Sequence, residues 1–280
     1  MPIHDQSYRR YRGIRADSRS AWTVIAMTGI KGALRRRAFM GVLLFAWVPF
    51  LVRAVQFYLA ANYPQFANLV APTPETFRSF LEAQGFFVFM TTIYVGAGLI
   101  ANDRRANALQ IYLSKPLTRA DYVGGKLAIL MAFLLMITWV PGMLLLFLQA
   151  MFAASFKFIG EHLYLIPAIT ITALLESLVA SFTMLALSSL SKSSRYVSIL
   201  YTGIMLFTGA IYGVLRMVTR STRVSWVSFT ASLEQVGDAI FRVPPRYETP
   251  VAVSLIVLIA LIAVSLSILE RRVRGVEVVA

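Results

Sequence analysis

Few side chains in this 280-residue sequence are able to do chemistry, and most are ruled out of the usual sites by type or position. There is no cysteine, which excludes a disulfide framework, a thiolate nucleophile, an iron–sulfur cluster and a cysteine zinc site. The two histidines are His4, in a polar stretch, and His162, between two apolar segments. That placement argues against a haem held by two histidines or a histidine-rich metal centre. Gly124-Gly125-Lys126 is the one fragment resembling a nucleotide-binding G-x-x-x-x-G-K-[ST] loop, but Ala120 and Leu127 stand at two required positions, so the pattern fails at both ends. Within the apolar stretches there remain Arg53, Gln56, Glu176, Arg216 and scattered hydroxyls. An enzyme embedded in the membrane would need convergent polar groups there, and no Ser–Lys or Asp–Asp pair falls at helix spacing.

These residues must be carried by membrane spans. The chain is 58% hydrophobic and 14% charged, with a mean hydropathy of +0.69. A soluble domain is roughly a quarter charged, so there is too little polar surface to cover a globule of this size. The expected fold is an all-α integral membrane protein with six transmembrane helices, near 38–61, 83–101, 127–153, 163–190, 196–217 and 251–269. Pro49, Pro141-Gly142 and Pro167 predict kinks in the first, third and fourth. The net charge of +14 reads as topogenic rather than as a nucleic-acid footprint. Segments 1–37, 102–126, 191–195 and 270–280 hold 19 Lys and Arg, and the opposite connections hold 6. By the positive-inside rule both termini are cytoplasmic. The first twenty residues are polar and arginine-rich, without the apolar centre of a cleavable signal peptide.

Two elements lie outside the spans. Residues 18–37 pattern as an amphipathic helix, with Trp22, Ile25, Ala26, Ile30, Ala33 and Leu34 on one arc. Ending in Arg35-Arg36-Arg37, it is expected in the inner interface against anionic lipid. Between the last two spans, 218–250 carries Trp226, Phe229, Leu233, Val236 and Ile240 at spacings of one helix stripe, with Glu234 and Asp238 on another face and Arg242 as a partner for Asp238. Pro244-Pro245 ends that helix. The chain thus divides into a tail and interfacial helix, 1–37, and a single transmembrane domain, 38–280.

The most informative segment joins the second and third spans, 102–126. Residues 103–113 pattern as a helix, Ser114-Lys115-Pro116 ends it, and Thr118 with Asp121 forms a capping box for the next. This segment resembles the corresponding loop of ABC-2 type permeases, the membrane subunits of one class of ATP-binding-cassette exporters. The resemblance rests on Asp103, the stretch Leu109 to Leu113, Ser114, Pro116, Arg119 and Gly125-Lys126, with Asn107-Ala108 where the family often has Gly-Thr or Gly-Ala. The layout of an interfacial helix, six spans and an outer helical segment matches as well. The resemblance implies a coupling helix, including Arg104 and Arg105, that docks on a separate soluble ATPase subunit. ATP and Mg²⁺ would bind that partner and no cofactor this chain. It also implies a second permease copy or homologue completing a substrate pathway. A membrane-embedded enzyme acting on lipids or peptides, or a channel or scaffold, is the alternative.

Three further expectations concern the spans. At a rise of about 1.5 Å per residue, Arg53 and Glu176 reach matching depth, and each would cost roughly 2.5–3.5 kcal/mol at a helix centre. An ion pair between them, with Gln56 one turn away as an additional donor, would relieve that cost. The alternative is that Arg53 snorkels outward while Glu176 lines a pathway alone. Gly209 and Gly213 form a G-x-x-x-G in the fifth span, and Ala173, Ser177 and Ser181 a small-residue stripe on the fourth. Either set allows close helix approach, between two copies or within one.

Overall fold

The computed structural model describes residues 21–63, 72–108, 118–152 and 160–273, and these are helical with no strand. Six helical segments are long and apolar enough to cross a membrane: Arg37–Asn62, Pro74–Arg105, Arg119–Phe152, Leu165–Leu190, Ser194–Thr219 and Val251–Arg272. The protein has a multi-pass membrane architecture. The second, third and fourth spans are about half buried in their most apolar stretches (50%, 56% and 50%), whereas the first, fifth and sixth bury 22%, 11% and 17%. Three spans therefore form the core and three present most of their surface outward.

Proline and its neighbours divide the spans locally. The first consists of α2 (Arg37–Ala46) and α3 (Val48–Asn62), parted at Trp47, with Pro49 in the first turn of α3, where a missing N–H costs nothing. The third consists of α6 (Arg119–Ile137) and α7 (Trp139–Phe152), parted at Thr138. Pro141 cannot donate to the carbonyl of Ile137, and the break falls there. Pro167 causes no kink in the fourth span, α8 (Leu165–Leu190), because the helix starts only two residues before it.

The second span corrects the expectation most. It begins at Pro74, nine residues before the expected start at 83, with Thr73 and Thr76 forming a capping box. Its first half is polar, yet Arg78 and Gln84 are buried inside the protein. The span runs through α4 (Pro74–Thr91), a π-helical turn at Thr92–Gly96, an irregular stretch at 97–100, and α5 (Ala101–Arg105). Ser188 repairs the irregular stretch. Its hydroxyl donates to the Ala97 carbonyl at 2.9 Å and accepts from the N–H groups of Ile100 and Ala101 at 3.1 and 3.0 Å.

At one end of the bundle α1 (Ala21–Leu34) lies against the third span. A methyl group on Gly125 would come within 2.9 Å of the Trp22 carbonyl and 2.8 Å of Ile25, and one on Gly29 would overlap Ile129. The two glycines let the helices touch. Ala26 is buried while Trp22 and Leu34 are 43% and 40% exposed, so only part of the expected apolar arc faces the protein. At the other end α9 (Ser194–Thr219), the fifth span, leads into a 3₁₀ turn at Ser225–Val227 and α10 (Phe229–Ile240), before α11 (Val251–Arg272), the sixth span. Trp226 sits in that turn, outside the helix, and is exposed. Leu233, Val236 and Ile240 pack inward against α8 and α11, and Phe229 is buried.

Candidate functional site: an acidic intramembrane cavity between two tied ends

The charges within the spans do not pair as expected. The Arg53 guanidinium donates to Gln56 Oε1 at 3.0 Å and to Ser79 Oγ at 2.9 Å. Glu176 instead faces Gly85, where an added Cβ would meet its Oε1 at 3.6 Å. The second span separates the two charges, because its Ser79 meets α3 while its Arg78, Glu82 and Gly85 line the space at Glu176. Matching depth is a necessary condition for an ion pair, but which helix stands between cannot be read from depth. Among the described residues Glu176 has no hydrogen bond or ion pair.

Glu176 lines two adjoining cavities. The smaller, about 70 Å³, is bounded by Arg78, Glu82, Gly85, Thr172, Thr230 and Glu234. The larger, about 420 Å³, is mostly apolar and lies between the second, fourth and fifth spans and α10. Thr183 lines it with a buried hydroxyl that has no partner.

A charged network closes over this region. Arg78 Nε contacts Asp238 Oδ1 at 2.9 Å, and its Nη2 donates to the Glu234 carbonyl at 3.1 Å. Arg246 contacts Asp238 at 3.1 Å and grips Glu82 through two hydrogen bonds of 2.7 and 2.6 Å. Gly237 makes room for Arg78, since a methyl group there would lie 2.8 Å from its Nε. Burial holds the Asp238 carboxyl above its ordinary range, an effect that the neighbouring Arg78 and Arg246 only partly offset. Tyr247 donates to Glu234, while the Gln235 amide donates to the Tyr247 and Thr249 carbonyls at 3.2 and 2.8 Å. Arg242 is not the partner of Asp238. It ends α10 in a left-handed conformation, φ 57°, and lies over the Tyr164 ring. A residue just past a helix end leaves the helical face on which an i,i+4 partner would be found.

The opposite end carries the base of the 102–126 loop. Asp103 accepts from Tyr122 Oη at 2.8 Å and pairs with Lys126 Nζ at 2.7 Å, and Arg104 donates to the Ser189 carbonyl at the end of the fourth span. Arg105 and Arg119 are exposed. Thr118 and Asp121 form the expected capping box. The helix expected over 103–113 is interrupted after Arg105, where Asn107 is left-handed, φ 53°; Ala108 is helical again, and 109–113 lie outside the described residues. Leu109, Ser114 and Pro116 lie outside the described residues. Beside the loop base, a cavity of about 480 Å³ is lined by Arg36, Asn102, Asp103, Lys126 and Arg195.

The two small-residue motifs part company. Ala173, Ser177 and Ser181 are fully buried within the chain, whereas nothing approaches within 4 Å of a side chain built at Gly209 or Gly213. Reading the sequence for apolar runs misses Arg78, Glu82, Gly237 and Arg246. The signal that could have found the first two is Thr73-Pro74 with Thr76, a helix start that places Arg78 and Glu82 on the same helix as Gly85. Among the described residues no three His, Asp or Glu side chains gather as metal ligands would. No protein-family model matches the chain and no curated protein matches it, so its residues and their geometry carry the functional reading.

Proposed function

We propose that this chain is the transmembrane permease subunit of an ABC-2 type exporter in the plasma or inner membrane, with both termini in the cytoplasm. A separate soluble ATPase binds ATP and Mg²⁺ and docks on the 102–126 loop, and a second permease copy or homologue completes the pathway. The observation that carries this reading is the construction of the loop base. Asp103 and Arg104 at the end of the second span are bonded to Tyr122 and Lys126 of the third and to Ser189 of the fourth. A loop held in this way moves three core spans when it is pushed. Two of these, the second and fourth, form the walls at Glu176, so displacement of the loop reaches the cavity along the continuous fourth span and, in the second, across the irregular stretch that Ser188 braces. The open Gly209–Gly213 face of the fifth span is the surface offered to the second copy.

The chain isolated in mild detergent from the membranes of its native host should bring with it an ATP-hydrolysing protein. Reversing both exposed cations, Arg105→Glu with Arg119→Glu, should release that protein while leaving the permease in the membrane. Each rim charge contributes about 1 kcal/mol or less, so the double reversal is the decisive variant. Isolation of the permease free of any ATPase, from membranes in which it is active, would overturn the assignment.

A further inference from the structure

We propose that the cavity beside Glu176 binds a lipophilic cation, a molecule with an apolar body and an amine, guanidinium, quaternary ammonium or phosphonium group. This rests on the permease reading only in taking the bound molecule to be cargo.

The argument begins with cost. An ionisable side chain within a span is retained against an insertion penalty and by default marks a functional position. Arg53 offsets its penalty with Gln56 and Ser79, but Glu176 has no such partner among the described residues. The position opposite it is Gly85, which lines both cavities together with Glu176 and puts no side chain between them. At about 420 Å³ the larger cavity falls in the range of small-molecule sites, roughly 300–1,000 Å³. Its walls include Phe86, Phe89, Tyr201, Met205 and Phe229. Aromatic faces attract cations as well as apolar groups. The unpartnered Thr183 hydroxyl offers a second polar anchor in the same wall.

Charge selects the sign of the ligand. Around Glu176 stand Arg78, Glu82 and Glu234, with Asp238 and Arg246 bonded to them. Four carboxylates face two guanidiniums, and both guanidiniums are already held by Asp238 and Glu82. This region is acidic in a chain whose net charge is +14. An anion entering here meets repulsion and a carboxylate that accepts no bond from it. A cation supplies the missing partner of Glu176 and places its apolar body in the larger cavity.

The test uses the purified full-length chain in detergent, without ATPase or ATP. Equilibrium binding of tetraphenylphosphonium is compared with that of tetraphenylborate, which has the same shape and the opposite charge. The cation should bind saturably and the anion should not, and Glu176→Gln should weaken cation binding about tenfold or more, whereas Glu176→Asp should retain most of it. Met205→Trp, which fills the cavity while leaving the carboxylate in place, should abolish binding at an unchanged melting temperature, and it serves as the test if Glu176→Gln does not fold. Equal binding of both ions, or full cation binding by Glu176→Gln or Met205→Trp, would overturn the site. The outcome is separable from the permease reading: a co-isolated ATPase with no cation binding removes the site alone, and cation binding with no ATPase removes the permease assignment alone.

Discussion

The two ends of the bundle are fastened in different ways. At the α10 end, one buried guanidinium ties the second span to a helix about 160 residues away, and a second, Arg246, ties the following connector to both. At the loop end the ties are short-range or run through the backbone: Asp103 to Lys126, Arg104 to a carbonyl, Ser188 into the broken stretch of the second span, and glycine contacts that seat α1. One end is closed by a single desolvated ion pair, Arg78–Asp238, with the part-exposed Arg246 beside it, and the other is held by backbone hydrogen bonds, glycine contacts and the Asp103–Lys126 pair. At an end closed in this way a half-broken buried pair is costlier than an intact or fully separated and hydrated one.

The sharpest way to break the comparison is to remove Arg78. Arg78→Met leaves Asp238, which is 0% exposed, with only the part-exposed Arg246 as a partner, and removing one partner of a buried pair costs up to about 3–5 kcal/mol. Trp226 lies at this end and Trp22 at the other, so tryptophan fluorescence during thermal unfolding in detergent, with the other tryptophans replaced by Phe, reports each end in turn. The Trp226 transition should fall well below the Trp22 transition in Arg78→Met, and adding Asp238→Leu should recover much of the loss. At the loop end, Ser188→Ala leaves up to three buried backbone groups without their bond, at about 1–3 kcal/mol. It should lower the Trp22 transition and raise hydrogen exchange at Ile100 and Ala101. Gly125→Val forces α1 off the third span, with overpacking costing about 1–3 kcal/mol. That variant should shift the Trp22 emission toward its solvent-exposed wavelength and leave Trp226 unchanged. Smallest of all, Glu82→Gln removes a carboxylate whose side chain is 36% exposed, and the loss should stay below about 1 kcal/mol. If Glu82→Gln destabilised as much as Arg78→Met, the closure would depend on the exposed rim rather than on the buried pair.

How much of this was legible in the sequence depended on where polar residues stood. The six spans follow from apolar runs, because lipid-facing helices must be apolar along most of their length. The second span begins nine residues early because its polar half faces protein rather than lipid, and hydropathy cannot distinguish a buried Arg78 from one in a loop. The capping box at Thr118 is local chemistry and was legible, whereas the interruption after Arg105 turns on the left-handed Asn107, a backbone choice that composition permits without requiring. Glu176 and Arg53 were identifiable as anomalous charges inside spans. Their partners were not, since Ser79, Gly85 and Gly237 matter only for the space they leave or the direction they face. The same holds for the small-residue motifs, where spacing identifies helix faces suited to close approach and tertiary packing decides which faces are filled.

The absence of natural cysteine allows the central claim to be tested at a single position. With cysteine placed at Arg105 and a bifunctional thiol–amine reagent applied to native membranes, the account predicts capture of one ATP-hydrolysing protein. The same reagent at a cysteine replacing Gly209 should capture no ATPase. ATP-hydrolysing activity captured from Gly209 but not from Arg105, or from neither position in membranes where the protein is active, would contradict it.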